Sequence, residues 1–228
     1  MPRLLSRLRF AYHKLKFRTG IHARRSYSQF GEDIFILNYF GYDFRGTFID
    51  VGVLHPYFMS NTALLVENGW TGMNIEPNPD VYPLVELARP SMTNLQVAIS
   101  NNRGTVDFVC NGSFSGIADS TYLWTGDGKS TTVSVRAIPL SDVFDMLPTN
   151  TPVDVLDIDV EGHDFEVLIS FDLKKHRPRL ILIESHNPDP DRDIHGYLLK
   201  NDYSKIARLS LTDVYEDSMP LTRKQTSP

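Results

Sequence analysis

Apolar residues along this chain fall into two rhythms. Five short runs are almost continuously apolar: Thr47–Val53, Thr71–Pro77, Asn94–Ser100, Val153–Asp159 and Arg179–Ser185. Such runs predict strands buried on both faces, as in a parallel sheet. Between them lie stretches with helical spacing. Phe30, Ile34, Leu37 and Phe40 predict a helix before the first strand, with a break marked by Gly41 and Gly46. Further helices are expected near 60–68, 81–88, 139–147, 163–170 and 194–200, the third with Ser141 as its N-cap. Strands alternating with helices predict an α/β fold, Rossmann-like, with a mostly parallel sheet covered on both faces.

Residues 101–138 depart from this alternation. The strings at 105–110 and 132–138 predict the two strands of a β-hairpin insertion, joined by a polar loop at 111–131 that carries Phe114, Tyr122 and Trp124. A loop this long in a compact domain is expected to be functional or disordered. Strands at 203–210 and 212–217 complete the fold. The expected organisation is thus a basic amphipathic N-terminal helical arm at 1–25, one domain at 26–220, and a flexible tail at 221–228.

Charge sharpens this division. The net charge of -5 conceals an arm with eight Lys/Arg and no acid, which leaves 15 basic against 28 acidic groups in the other 203 residues. So acidic a body repels phosphates, and nucleic acid is not expected as a partner. Leu4, Leu5, Leu8, Tyr12 and Leu15 recur at helical spacing in the arm, which fits either packing on the domain or peripheral contact with an anionic membrane. No apolar run reaches the roughly 18 residues that span a bilayer. With Cys110 as the sole cysteine, there is no internal disulfide, and a cytoplasmic location is expected, membrane association through the arm included.

Candidate chemistry sits where the predicted core strands end. Ligands of open α/β sheets bind beyond the carboxyl ends of the strands, at the switch point. Four of these ends carry an acid: Asp50, Glu76, Asp159 and Glu184. Asp50-Val51-Gly52 suits close approach of the backbone to a nucleoside cofactor, although a plain strand-end turn would read the same way. Asn61 and Thr62 open the next helix, whose amino end suits a cofactor carboxylate. Glu76 falls 26 residues after Asp50, the place of an acid that accepts hydrogen bonds from ribose hydroxyls.

After the fourth strand comes Asp159-Val160-Glu161-Gly162-His163-Asp164, and after the fifth Glu184-Ser185-His186. Histidine is the side chain whose ordinary pKa lies near neutrality, so His163 is a candidate base, or else simply the first residue of a helix. Asp159, Glu184 and His186 are oxygen and nitrogen donors of the kind that hold a divalent metal, which would lower the pKa of a hydroxyl. A general-base site built from Asp159, Glu161, His163, Glu184 and His186 needs no metal.

At these residues the chain resembles the FkbM-type methyltransferase family. The matching strings are Ser28-Gln29-Phe30-Gly31-Glu32-Asp33, Phe48-Ile49-Asp50-Val51-Gly52, Ser60-Asn61-Thr62, Gly69-Trp70-Thr71-Gly72 and Ile75-Glu76-Pro77-Asn78-Pro79. Val97-Ala98-Ile99-Ser100, Ile158-Asp159-Val160-Glu161-Gly162-His163 and Ile183-Glu184 continue them in family order, over roughly residues 26–185. The resemblance implies a seven-stranded methyltransferase sheet that binds S-adenosylmethionine. It implies Asp50, Val51, Gly52, Asn61, Thr62, Glu76, Pro77, Ala98, Ile99 and Ser100 around that cofactor, with Gln29 and Glu32 closing over it. Val53 stands where similar sequences often carry Ala. The implied activity is O-methylation, with a small-molecule or glycan hydroxyl as acceptor, lipid-linked if the arm meets a membrane. Two other readings stay open: a non-catalytic relative that binds cofactor as an interaction module, and an NAD-dependent oxidoreductase, against which the missing glycines of the dinucleotide fingerprint argue.

Overall fold

A computed structural model describes residues 26–120, 130–185 and 193–219. The basic arm, the loop segment with Tyr122 and Trp124, the segment with His186, and the tail lie outside the described residues.

The elements follow in the order α1 (Glu32–Phe40), β1 (Thr47–Val51), α2 (Ala63–Glu67), β2 (Thr71–Ile75), α3 (Tyr82–Ala88), β3 (Thr93–Leu95), β4 (Ala98–Ile99) and β5 (Gly104–Cys110). A 3-10 turn (Gly112–Phe114) leads to β6 (Gly116–Ile117), β7 (Thr131–Ile138), α4 (Leu140–Asp145), β8 (Val155–Ile158), α5 (Asp164–Leu168), β9 (Leu180–Glu184), α6 (Ile194–Lys200), β10 (Tyr203–Leu209) and β11 (Thr212–Asp217). Seven strands form the main sheet in the order β3-β2-β1-β8-β9-β11-β10. The first five run parallel, and β11 is antiparallel to both of its neighbours. The expected seven-stranded, mostly parallel sheet is present.

Side chains alternate across this sheet, so each strand serves two cores. On one face Phe48, Val155, Leu180, Leu182 and Val214 pack against Ile36 and Leu37 of α1 and Leu65 of α2. On the other, Ile49, Leu156, Ile158, Ile181 and Ile183 pack against residues of α4, α5 and α6, including Leu140, Val167 and Leu198. Because both faces are covered, β8 is buried throughout. That explains the continuous apolar runs.

One line of the first face is polar. Asn94, Asn74, Asp50 and Asp157 stand in register across β3, β2, β1 and β8. Polar groups this deep need partners. Asn74 donates to Asn94 at 2.8 Å, and the guanidinium of Arg89 donates to both Asn74 and Asp50.

Three sequence expectations are corrected. The run at 94–100 is two strands, not one: β3 ends the main sheet, and the chain then crosses to pair β4 with β7 in a second sheet. Val97 and Ile99 are buried in the core of the main sheet and Ala98 in that of the second, which keeps the run apolar across the break. The hairpin of β5 and β7 is the centre of a four-stranded sheet, β4-β7-β5-β6, because the polar loop itself contributes β6. Ser141 is not the N-cap of α4. The helix starts at Leu140, whose amide donates to Ser170 Oγ at 2.9 Å, so a tertiary partner caps the turn.

Strand packing leaves no room at Gly72, which faces Phe48 across β1 and β2. A methyl group there would meet the Phe48 carbonyl oxygen at 2.3 Å and its ring at 2.7 Å. Gly72→Ala is expected to cost about 1–3 kcal/mol through forced strand separation. Urea unfolding checks this; wild-type stability would contradict it.

Candidate active site

Beyond the carboxyl ends of β1, β2, β8 and β9 lies an open cavity roofed by the second sheet. Its shape begins with a backbone contact. Gly52 leaves β1 at φ +93, and its amide donates to the Ile75 carbonyl at 3.0 Å. A Cβ at this position would stand 1.9 Å from the Asp159 carbonyl oxygen. Glycine is therefore required both by conformation and by space. Without it, the ends of β1 and β8 could not approach this closely.

Glu76 forms one wall. It is 4% exposed, and its two carboxylate oxygens accept from the Leu54 amide at 2.9 Å and the Asn78 amide at 2.7 Å. Burial pushes its carboxyl up to about 7, although both backbone bonds pull the other way. Each oxygen keeps a lone pair for a ligand. Beside it Val51, Pro77, Ala98 and Ile99 line an apolar slot.

The opposite end gathers acids. Asp159, Glu161 and Glu184 all line the cavity. Asp159 is exposed to the cavity, yet desolvation by the surrounding protein, and then Glu184, Asp164 and Glu161, hold its carboxyl well above the usual carboxylate range. Asp164 closes the intervening loop by accepting from the Val160 and Gly162 amides, both at 3.1 Å. Glu161, at φ 56, and Gly162, at φ 91, make the turn left-handed and carry the chain into α5.

Gln29 and Glu32 reach the cavity from the start of α1. Glu32 accepts from the Phe30 amide at 2.8 Å and from Thr212 Oγ1 at 3.2 Å, which ties this segment to the β10–β11 hairpin. Asp33 folds residues 26–28 back on themselves, accepting from Ser26 Oγ and the Tyr27 amide at 2.6 Å and from Ser28 Oγ at 2.9 Å. These bonds give physical content to the Ser28–Asp33 string.

Four expected residues stand off this cavity. Asp50 and Thr62 point to the polar line of the sheet, where Thr62 Oγ1 donates to the Asp50 carboxylate and Arg89 lies 3.3 Å from it. Residues Ser100 and His163 line an adjoining cavity with Asn101, Asn102 and Glu166, and their side chains are 3.4 Å apart. Asn61 does line the main cavity, and its side chain donates to Asp157 at 3.2 Å. Asp157 and Arg89 were not expected. Burial, and then Asp50 beside it, hold the Asp157 carboxyl well above its ordinary value. The metal expectation has two members, Asp159 and Glu184, at the cavity, while His186 lies outside the described residues. Among the described residues no group of three or more His, Cys, Asp and Glu side chains is arranged to hold a metal ion.

The profile of the methyltransferase FkbM domain matches residues 50–205. The chain belongs to this family. The FkbM match runs from Asp50 into β10 and so includes the ends of β1, β2, β8 and β9. Among solved structures, the crystal structure of Methyltransferase FkbM from Methylobacillus flagellatus KT aligns with 14% identity and a TM-score of 0.47, over 75% of this chain. The aligned part is 43% of that FkbM chain, so the present chain spans less than half of it. No curated protein matches the sequence.

The raised carboxyl of Glu76 has a consequence for this FkbM domain. A buried acid whose folded pKa exceeds its unfolded one keeps its proton in the fold after the unfolded chain has lost it. Its stabilising share is present below the unfolded pKa of about 4.5 and is lost as pH rises to about 7. Over that window Glu76 alone contributes a decline of about 3 kcal/mol. Glu76→Gln is expected to flatten the slope of stability against pH across this range, as measured by chemical unfolding at several pH values. An equal slope in both proteins would contradict the assignment.

Proposed function

We propose that the protein is an S-adenosylmethionine-dependent O-methyltransferase whose acceptor is a hydroxyl of a sugar or glycan. The observation that carries this reading is the cavity itself: a backbone-tight turn at Gly52, an acid with free lone pairs at Glu76, and an apolar slot between them, all beyond the strand ends. An adenosyl group needs those three things. Residues Val51, Gly52, Glu76, Pro77, Ala98 and Ile99 would hold the adenosine end. Gln29, Glu32 and Asn61 would hold the amino-acid end. Asp50 and Thr62 would act from behind the wall, and Ser100 and His163 from the adjoining cavity.

When bound, S-adenosylmethionine supplies an electrophilic methyl group on a sulfonium. The protein's own task is to orient the acceptor and take its proton. Asp159 is the base in this reading. Its raised pKa brings it nearer to the working pH, where a carboxylate accepts a hydroxyl proton most effectively. Glu161 and Glu184 face the same space and would orient the acceptor. Phe30 offers an aromatic face beside Gln29 and Thr212, a combination that suits a polyhydroxylated ring. No described helix is long and apolar enough to cross a membrane. The amphipathic spacing and eight Lys/Arg of the arm support a role at an anionic surface, where a lipid-linked acceptor would lie.

Calorimetry with S-adenosylhomocysteine tests the cofactor: binding is expected, and NAD at the same concentration should give none. Ribose hydroxyls favour the ionised form of Glu76, so affinity should be higher at about pH 8 than at about pH 6. Asp159→Asn should retain S-adenosylhomocysteine binding while turnover falls by about 10²–10⁴-fold. Unchanged turnover would remove Asp159 from the reaction, and NAD binding in place of S-adenosylhomocysteine would sink the reading.

A further inference from the structure

Arg89 has no place in the chemistry above, yet it is 3% exposed and its terminal nitrogens donate to five different residues. One terminal nitrogen donates to Asp50 at 3.3 Å, to Thr62 Oγ1 at 2.9 Å and to Asn74 Oδ1. The other donates to the Pro56 carbonyl at 3.3 Å and to Ser60 Oγ at 3.1 Å. The guanidinium also lies 5.9 Å from the centre of the Phe48 ring. A single side chain thereby joins β1, β2 and both the middle and the far end of the loop that follows β1.

That loop makes much of the cavity wall. Leu54, Met59 and Asn61 line the cavity, and the Leu54 amide fixes one oxygen of Glu76. Leu54 and Met59 hold φ values of 53 and 54, a left-handed conformation that side-chain-bearing residues adopt only when their surroundings impose it. The loop's own sequence does not favour this path. Its anchors are Gly52, the Ser60 and Asn61 side chains, and the guanidinium that grips Pro56 and Ser60 together.

We infer that Arg89 is the positioning residue of the cofactor wall: without touching the ligand, it holds the 53–62 loop in the shape that sets Leu54, Asn61 and, through Leu54, Glu76. This rests on the methyltransferase reading for the identity of the ligand, but the hold on the loop does not. Lysine keeps the charge and loses the planar fork, so it cannot serve acceptors on the loop and on two strands at once.

Hydrogen exchange on the ligand-free full chain and cofactor kinetics test the inference together. In Arg89→Lys, amides of residues 53–62 should exchange faster while those of β8 and β9 stay protected. The KM for S-adenosylmethionine should rise about 10- to 100-fold, the scale of a small displacement remote from the chemistry, with kcat at saturation nearly kept. A residue needed only for stability would instead lower the active fraction: kcat would fall and KM would not move. Should Arg89→Lys fail to fold, Arg89→Met combined with Asp50→Asn removes both buried charges and is read in the same way. Unaltered exchange in the loop, or an unaltered KM, overturns the proposal. Failure of the wild type to bind S-adenosylhomocysteine would overturn the methyl-transfer reading instead, and the exchange data would still decide whether Arg89 holds the loop.

Discussion

The main chain at Gly52 passes so close to the Asp159 carbonyl that no side chain fits between them, and the rest of the site inherits its dimensions from that approach. β1 and β8 are neighbours at the switch point of the parallel sheet, where the connections leave in different directions and open a crevice. A left-handed glycine at the end of β1 lets its loop turn at once toward β2, so that Leu54 meets Glu76. The same contact keeps the start of the 159–163 turn at the crevice, with Asp159 and Glu161 lining it. The chemistry on one side and the ligand wall on the other thus meet across a single backbone contact.

Electrostatics sets the second constraint. Asp50 and Asp157 stand side by side on β1 and β8, and Asp159, Asp164 and Glu184 follow within one turn of chain or one strand. Desolvation pushes the carboxyls of Asp50, Asp157, Asp159 and Asp164 upward, and at the last three the neighbouring acids add to it. Arg89 offsets part of this at Asp50, and backbone amides offset part at Glu76 and Asp164. Once ionised, a carboxylate whose pKa is raised is a stronger base toward a hydroxyl, and a ligand that brings positive charge favours that ionised form. The fold tolerates the arrangement because large apolar clusters lie on both faces of the sheet.

Much of this was legible in the sequence, for identifiable reasons. The five apolar runs reported the parallel sheet because burial on both faces leaves no polar alternation. Glu76, Asp159, Glu161 and Glu184 were visible because strand ends in such a sheet converge on one edge. Helix α6 matched its predicted span at 194–200. What failed was whatever depends on register or on distant partners. Asp157 sits inside an apolar run, and only its pairing with Asp50 reveals the polar line. Asp50 is one residue before Val51, so the pleat sends the two to opposite faces, and Asp50 meets Arg89 instead of the cavity. Arg89 itself, at the end of α3, carries no local signal. His163 and Ser100 each adjoin in sequence residues that line the main site, but the turn after Glu161 and the step into the second sheet direct them elsewhere.

The account stands or falls on where the adenosine lies. A crystal structure of the full chain with S-adenosylhomocysteine measures this directly. Both ribose hydroxyls should lie about 2.6–3.2 Å from the Glu76 carboxylate, with the thioether turned toward Asp159. Adenosine seated away from Glu76, on the other side of the β1–β8 crevice or in the cavity beside His163, would contradict it.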